Sequence, residues 1–513
     1  MPRTPVMSML LSVANAARSS AVGPRVDRGR RALLIGAAAT ASVAAFGKAL
    51  PEKRTGLPRV GIVGAGLAGL TAAYRLQQRG IPSVLLEGDT RLGGRCFSDR
   101  ASFEDGQVGE HGGEFIDSGH QQIRSLAKEL NLPLDDVVAA QPAGATSFYE
   151  FGGSRYTIAE ATKDFQPLFP IIKSQNASVG ESYSYKHSSA AAKAFDNTTI
   201  AQWVDHYVAG GRMSKLGQLI ENAFTEENAA DTDELSALNL LSGLSAVKPN
   251  EFDLYYQTSD QRSHIRGGAD QIVAHLAEKL APSIEVGSAL TAIVRQPDGR
   301  MKLTIARDAK SVDEIFDRVV LALPFSVMRE KVDFARAGFS ALKQRAIREL
   351  AMGASNKLQL QFNHRLWNEL GCSGEIRLTA HDFQTTWDVT RAQPGPRGIL
   401  NFWSGGKTTL NANVDKETLA RRCLADAEKV LPGLTAVWNG RAALDVWKSN
   451  PWSRGSYVFY RPGYQTTIFG AEGTPEGNCF FAGEHTWSES GFLNAAVASG
   501  ERAAREVISS IRR

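Results

Sequence analysis

Apolar residues fall into two rhythms along this chain. Arg59–Val63 is a short apolar run behind its leading arginine, and Ser83–Leu86 is another. Between them, Leu67–Gln78 places apolar residues at helical spacing and stops at Gly80. Short apolar runs predict buried strands, and the longer periodic stretch predicts an amphipathic helix. The opening unit is therefore strand, helix, strand, the start of a parallel sheet. Near the other end, Cys479–Ala482 reads as a further buried strand. A helix follows from near Gly491 through Ala495, Val497, Ala498 and Ala503. Alternation marks Asn356–Phe362 as a strand, with Leu358, Leu360 and Phe362 on one side and Lys357, Gln359 and Gln361 on the other. Taken alone, that pattern makes Lys357 a solvent-facing lysine. Residues 189–245 are helical in period, with AAAKAF, WVDHYV and LGQLIENAF as cores, whereas polar Asn176–Ser189 reads as a loop at an entrance.

The turn between the first strand and helix reads Gly64-Ala65-Gly66-Leu67-Ala68-Gly69, a G-x-G-x-x-G fingerprint. The first glycine permits the tight turn, the second admits a pyrophosphate to the backbone, and the third lets helix and strand pack closely. Amides at the helix start bind anions without a cationic side chain. Glu87 ends the second strand, where an acid accepts a ribose hydroxyl. Directly after it comes Arg91-Leu92-Gly93-Gly94-Arg95, in which Arg95 can give charge-assisted hydrogen bonds to a phosphate. The two signatures together point to bound FAD.

With these motifs the chain resembles the flavin-containing amine oxidases, the family of monoamine, polyamine and L-amino acid oxidases. Other segments carry the likeness over roughly residues 58–510, strongly in the FAD segments and weakly between about 136 and 261. Glu110-His111-Gly112-Gly113-Glu114-Phe115-Ile116 resembles the glycine pair that lies along the flavin. Arg266-Gly267-Gly268-Ala269-Asp270 resembles the turn re-entering the FAD domain, and Val286–Ile293 the strand that meets the adenine, at Leu290. Val319–Pro324 resembles the strand closing that unit, and Phe480–His485 with Ser490–Arg505 the C-terminal FAD signature, with Gly483 and Glu484 in its turn. A helix N-terminus and the Leu493 N–H would then stabilise negative charge on the reduced flavin. Trp447 matches a tryptophan beside the flavin.

The resemblance also implies the chemistry. Lys357 matches the lysine that holds a water at flavin N5, which would help O2 accept electrons or position the water that hydrolyses the imine. Ser453-Arg454-Gly455-Ser456-Tyr457 matches the segment beside the ring. Animal monoamine oxidases bond a cysteine to the flavin at the Ser456 position; serine forms no thioether, so non-covalent FAD is expected. Tyr457 matches one wall of an aromatic substrate cage and Phe492 the other, where many relatives have tyrosine or tryptophan. Such rings steer an amine toward N5. The implied reaction passes hydride from the amine to flavin N5, releases an imine that is hydrolysed to aldehyde or ketone, and reduces O2 to hydrogen peroxide. L-amino acid oxidases place an arginine near Glu114. The opposite charge here favours an amine without a carboxylate, although a hydrogen-bonding role within its own loop is the plainer reading of Glu114. An L-amino acid oxidase, a flavin desaturase or porphyrinogen oxidase, and a non-catalytic flavoprotein stay open as alternatives.

The expected fold class is α/β: a discontinuous Rossmann-like FAD-binding domain (56–135, 262–345 and 450–513) with a mixed α+β substrate-binding domain (136–261, mostly helical, and 346–449). The 513 residues carry a net charge of +4 and are 43% apolar, enough for a large core. Residues 1–50 hold seven basic residues against Asp27, a net +6, so the remainder carries −2 of that total. The basicity belongs to the leader, and no nucleic-acid surface is expected. Arg30-Arg31 before the Ala-rich run Ala32–Gly47 reads as a twin-arginine signal peptide over 1–50, implying folded export to the periplasm or beyond. That run is too short for a stable membrane span, which needs about 20 apolar residues. Four scattered cysteines and nine histidines show no metal spacing, so no metal is expected. The partners expected are a small-molecule amine and O2, with a homodimer as a family-level assembly.

Overall fold

Val60–Val63 and Ser83–Leu86 are each buried along their full length, which requires cover on both faces. They lie in a five-stranded parallel sheet whose order is Cys479–Phe481, Arg318–Leu321, Val60–Val63, Ser83–Leu86, Ile284–Glu285. The structure, a computed structural model, describes residues 56–244, 259–379 and 382–511, so the leader segment read over 1–50 lies outside the described residues. The period of two sorts the strand side chains. Val60, Ile62, Leu85, Val320 and Phe480 pack under the helices Leu67–Gln77, Asp270–Leu280 and Leu493–Ile511. Val63, Val84, Leu86, Val319, Leu321 and Phe481 pack on the other side with Leu290, Ile293, Leu303 and Ile305 of a three-stranded antiparallel sheet. Each such fully buried aliphatic contributes about 1.5–3 kcal/mol. Gly61 is required within the strand, because a Cβ there would lie 2.9 Å from the Phe316 ring. The C-terminal helix starts at Leu493, two residues after the glycine at which the sequence places it.

A second, seven-stranded sheet runs Trp438–Val446, Ser355–Phe362, Gly398–Gly405, Thr385–Asp388, Cys372–Leu378, Thr146–Phe151, Ser154–Tyr156. It is antiparallel except where Thr146–Phe151 joins Cys372–Leu378 in parallel. Helices between Ile158 and Gly243 form their own core around Trp203, Leu219 and Leu238. Two of these helices begin with capping boxes, Thr157 with Glu160 and Thr199 with Gln202. The helix Leu168–Val179 overruns the stretch read as loop from Asn176, because the Asn176 amide donates to the Leu241 carbonyl at 3.0 Å and so belongs to the helical core.

The strand Ser355–Phe362 corrects a second expectation. All eight of its residues are buried, including Lys357, Gln359 and Gln361. Leu358, Leu360 and Phe362 enter an apolar cluster as the alternation requires. The polar side is covered by the loop of residues 104–114. Gln359 Nε2 donates to the Glu110 carbonyl at 3.0 Å, and its Oε1 accepts the Glu110 N–H at 3.2 Å. Gln361 makes the same two-way contact with Glu104, at 3.0 and 2.9 Å. A glutamine amide paired with a peptide unit stands in for a neighbouring strand, so this face is dry without being apolar.

Candidate active site

The fingerprint glycines have different surroundings. Gly64 has φ +99°, and a Cβ there would lie 2.7 Å from the Ala322 carbonyl oxygen. A Cβ on Gly69 would lie 1.9 Å from the Gly64 carbonyl oxygen, so Gly69 allows helix and turn to touch. Gly66 is not crowded by protein: its nearest neighbour would be the Gly93 carbonyl oxygen at 4.0 Å. Gly66 is also the N-cap of Leu67–Gln77, with no side-chain cap and no acidic residue in the first turn. An uncapped helix start behind an open glycine fits an anionic phosphate group. Glu87 takes the Ala65 N–H at 2.6 Å on one oxygen and the Asp89 N–H at 2.9 Å on the other. Burial raises its carboxyl above the usual range. Each oxygen keeps a further acceptor position, suited to a ribose hydroxyl.

One cavity draws these parts together with the rest of the expected site. It is lined by Gly64, Gly66, Leu67, Ala68, Glu87, Arg95, Gly112, Gly113, Glu114, Phe115, Leu290, Lys357, Trp447, Tyr457, Gly483, Glu484, Phe492 and Leu493. Ala65 and Gly69 stand behind this lining, the first holding Glu87 and the second packed on Gly64. Gly112 is needed because a Cβ there would lie 1.8 Å from the Arg95 carbonyl oxygen, and Gly113 because one would lie 2.8 Å from the Leu493 side chain. Trp447 is fixed by its Nε1 donating to the His111 carbonyl at 2.9 Å. Gly483 has φ +124°, and its N–H donates to Ser499 of the C-terminal helix at 2.9 Å.

Two side chains have partners that the sequence does not reveal. Arg95, read as a phosphate ligand, directs Nη1 to Glu484 Oε1 at 3.0 Å and to the Ser456 carbonyl. Glu484 Oε2 in turn accepts the Gly491 N–H at 2.9 Å. Arg95 is thus a strut joining the early loop to both late loops of the site. Glu114, grouped with the cofactor ligands on sequence, accepts from Lys357 Nζ at 3.2 Å and from Trp387 Nε1 at 3.0 Å on the same oxygen, Oε2. Lys357 Nζ also donates to the Gly112 carbonyl at 3.1 Å.

Tyr457 donates its hydroxyl to the Glu226 carbonyl at 2.6 Å, which fixes the ring, and burial pushes that hydroxyl's pKa up. Phe492 rests against the His120 ring, 4.8 Å between centroids and tilted by 60°. Trp387, Trp403 and Gln261 also line the cavity, and no sequence motif marks them. Trp387 sits on a short strand two places from that of Lys357, so only the sheet order brings it to the site. The Ser456 hydroxyl donates to the Gly353 carbonyl at 3.0 Å. The four cysteines are free and buried. No group of side chains suited to a metal occurs among the described residues.

A glycine cradle for a dinucleotide, a buried lysine and aromatic walls sharing one cavity define a flavin-dependent oxidoreductase. Residues 67–508 match the family described as flavin containing amine oxidoreductase, and the chain belongs to that family. It is an enzyme acting on amines. It is similar to a putative L-amino-acid oxidase, YobN, of Bacillus subtilis (strain 168), at 22% identity over 87% of this chain and 94% of the relative. It is also similar to flavin-containing amine oxidase A of Sus scrofa, at 23% identity over 88% of this chain and 85% of the relative. Among solved structures, the cyclohexylamine oxidase of Brevibacterium oxydans IH-35A superposes with a TM-score of 0.77 at 20% identity, covering 89% of this chain and all of that one. Wild-type putrescine oxidase bound to putrescine superposes with a TM-score of 0.73 at 21% identity, covering 88% of this chain and 99% of that one. These similarities establish the α/β flavin-binding fold.

Proposed function

We propose that the protein is an oxidase of amines that lack a carboxylate, holding FAD non-covalently and using O2 as electron acceptor. The observation that carries this reading is the cavity shared by the glycine cradle, Lys357, Tyr457 and Phe492. The amides after Gly66 would hold the pyrophosphate, Glu87 the ribose and Leu290 the adenine side. When bound, the flavin accepts a hydride from the amine's α-carbon, and the electron pair passes on to O2 to give hydrogen peroxide. The imine product is hydrolysed to an aldehyde or ketone with release of ammonia or an amine.

The residues on the substrate side orient rather than react. The ring faces of Tyr457 and Phe492 attract the amine and align it. Lys357, with two of its three N–H donors committed, keeps one to hold a water. The charge balance supports an amine over an amino acid. Among the described residues, the cationic side chains of the cavity lining are Arg91, Arg95, Lys331 and Lys357. Lys357 is paired with Glu114 and Arg95 with Glu484. Arg91 donates to the Leu92 and Gly94 carbonyls, and Lys331 lies 4.7 Å from the Trp452 ring centroid. Each of the four thus already has a contact within the protein. Ser456 supports non-covalent binding, because its oxygen forms no thioether.

The test is anaerobic mixing of the flavin-loaded protein with monoamines, diamines and L-amino acids while the yellow absorbance is followed. Bleaching by amines is expected. Bleaching by amino acids alone, or by no compound of the three classes, overturns the reading. Acid precipitation of the same preparation should leave the colour in the supernatant.

Export by the twin-arginine route is part of the proposal, on the strength of Arg30-Arg31 and the small-residue run that follows. Replacing both arginines by lysine should retain the protein in the cytoplasm on fractionation. No helix among the described residues is long and apolar enough to cross a membrane.

A further inference from the structure

We infer that Glu114 is a positioning residue for Lys357, fixing its Nζ so that a single N–H is left for the cavity. The inference rests on the proposed place of Lys357 beside the flavin. Lys357 reaches two acceptors, the Gly112 carbonyl at 3.1 Å and Glu114 Oε2 at 3.2 Å. An ammonium carries three donors, so one remains uncommitted on a side chain that lines the cavity. Glu114 is steered in turn: Trp387 donates to the same oxygen at 3.0 Å, and its ring centroid lies 5.5 Å from Lys357 Nζ. The carboxylate comes from the loop after the Gly112-Gly113 pair and the other two from the seven-stranded sheet, so the contact joins separate parts of the fold.

Stability alone does not account for this arrangement. The Lys357 and Glu114 side chains are only 6% and 3% exposed. Desolvation of a pair so placed offsets most of its attraction, and an apolar replacement is often as stable. Glu114 Oε1 adds to that cost, since it is buried with no hydrogen-bond partner among the described residues. Glutamine would accept from Trp387 and Lys357 with the same shape. What it would lack is the negative charge, which makes the hydrogen bond from the lysine charge-assisted and holds Nζ in this place. Glu110 and His264 also feel this site electrostatically, but neither is hydrogen-bonded to the pair.

The test compares wild type, Glu114→Gln and Glu114→Asp as flavin-loaded proteins, treated with acetic anhydride at one fixed alkaline pH. Only neutral amines acylate. Peptide mass spectrometry gives acetylation at Lys357 relative to the exposed Lys310. Loss of one adjacent opposite charge should raise that ratio about tenfold in Glu114→Gln, while Glu114→Asp, which keeps the charge, should stay near wild type. An unchanged ratio in Glu114→Gln overturns the inference, and so does an equal rise in Glu114→Asp. In parallel, the flavin is photoreduced and its reoxidation by O2 timed. Glu114→Gln should slow it, and the double variant with Lys357→Met should be no slower than Lys357→Met alone. Further slowing in the double variant shows Glu114 acting independently of Lys357 and also overturns the inference. Neither measurement uses an amine, so both stand if the substrate panel fails.

Discussion

A single methyl group separates two kinds of glycine in the fingerprint. At Gly69 it would sit 1.9 Å from a backbone oxygen that cannot move without the turn. Gly69→Ala should therefore destabilise the protein by about 1–3 kcal/mol or more, as overpacking does. At Gly66 the backbone is extended, with φ −69° and ψ 176°, and the methyl would meet nothing nearer than 4.0 Å. Gly66→Ala should leave folding within about 0.5 kcal/mol of wild type and weaken flavin binding. Thermal unfolding of the flavin-free variants, set beside flavin titration, checks both. Equal losses of stability would mean that Gly66 serves the fold and not the ligand. Gly69 was legible from sequence because the packing admits no other residue there, and Gly66 because its spacing completes the fingerprint. The partner of Arg95 was not, since Glu484 lies 389 positions away and only folding brings the two together. Lys357 as the partner of Glu114 was not legible for the same reason, since the two lie 243 positions apart.

At the scale of elements, alternation located the strand Ser355–Phe362 to within a residue but not its cover. Period two distinguishes faces; it does not tell water from a layer of backbone amides. That layer includes Glu110, whose side chain takes the Ala269 N–H at 2.7 Å and the Ser98 hydroxyl at 2.9 Å. Burial raises its carboxyl from the usual 4.5 to about 8. Between those two values the unfolded chain releases the proton and the folded chain keeps it. The folded state then binds more protons, so stability falls as pH rises through this window. Glu110→Gln imitates the neutral acid and should flatten that part of a plot of Tm against pH. An unchanged slope would show that another group governs it. The helix Leu168–Val179 gives the complementary lesson. Its polar last turn carries no apolar period, and tertiary contact through Asn176 made it helical.

For the molecule as a whole, the sheet order explains why the flavin segments were readable while only part of the substrate side was. The parallel sheet draws its strands from residues 60–86, 284–321 and 479–481, most of them short apolar runs with a glycine close by. The aromatic end draws on Trp387, Trp403, Tyr457 and Phe492, where side-chain type follows the ligand and not the backbone. Relatives named for amines and for amino acids both align over most of the chain. Substrate choice therefore rests on the few groups that face the ligand.

Arg95 and Glu484 set an order of events during synthesis. Arg95 leaves the ribosome 389 residues before the acid that braces it, and domains assemble as their parts emerge. Until translation ends, the nascent chain has half a binding site. A polypeptide stopped after Asn478 should emerge colourless even in excess FAD, and readily cleaved by protease.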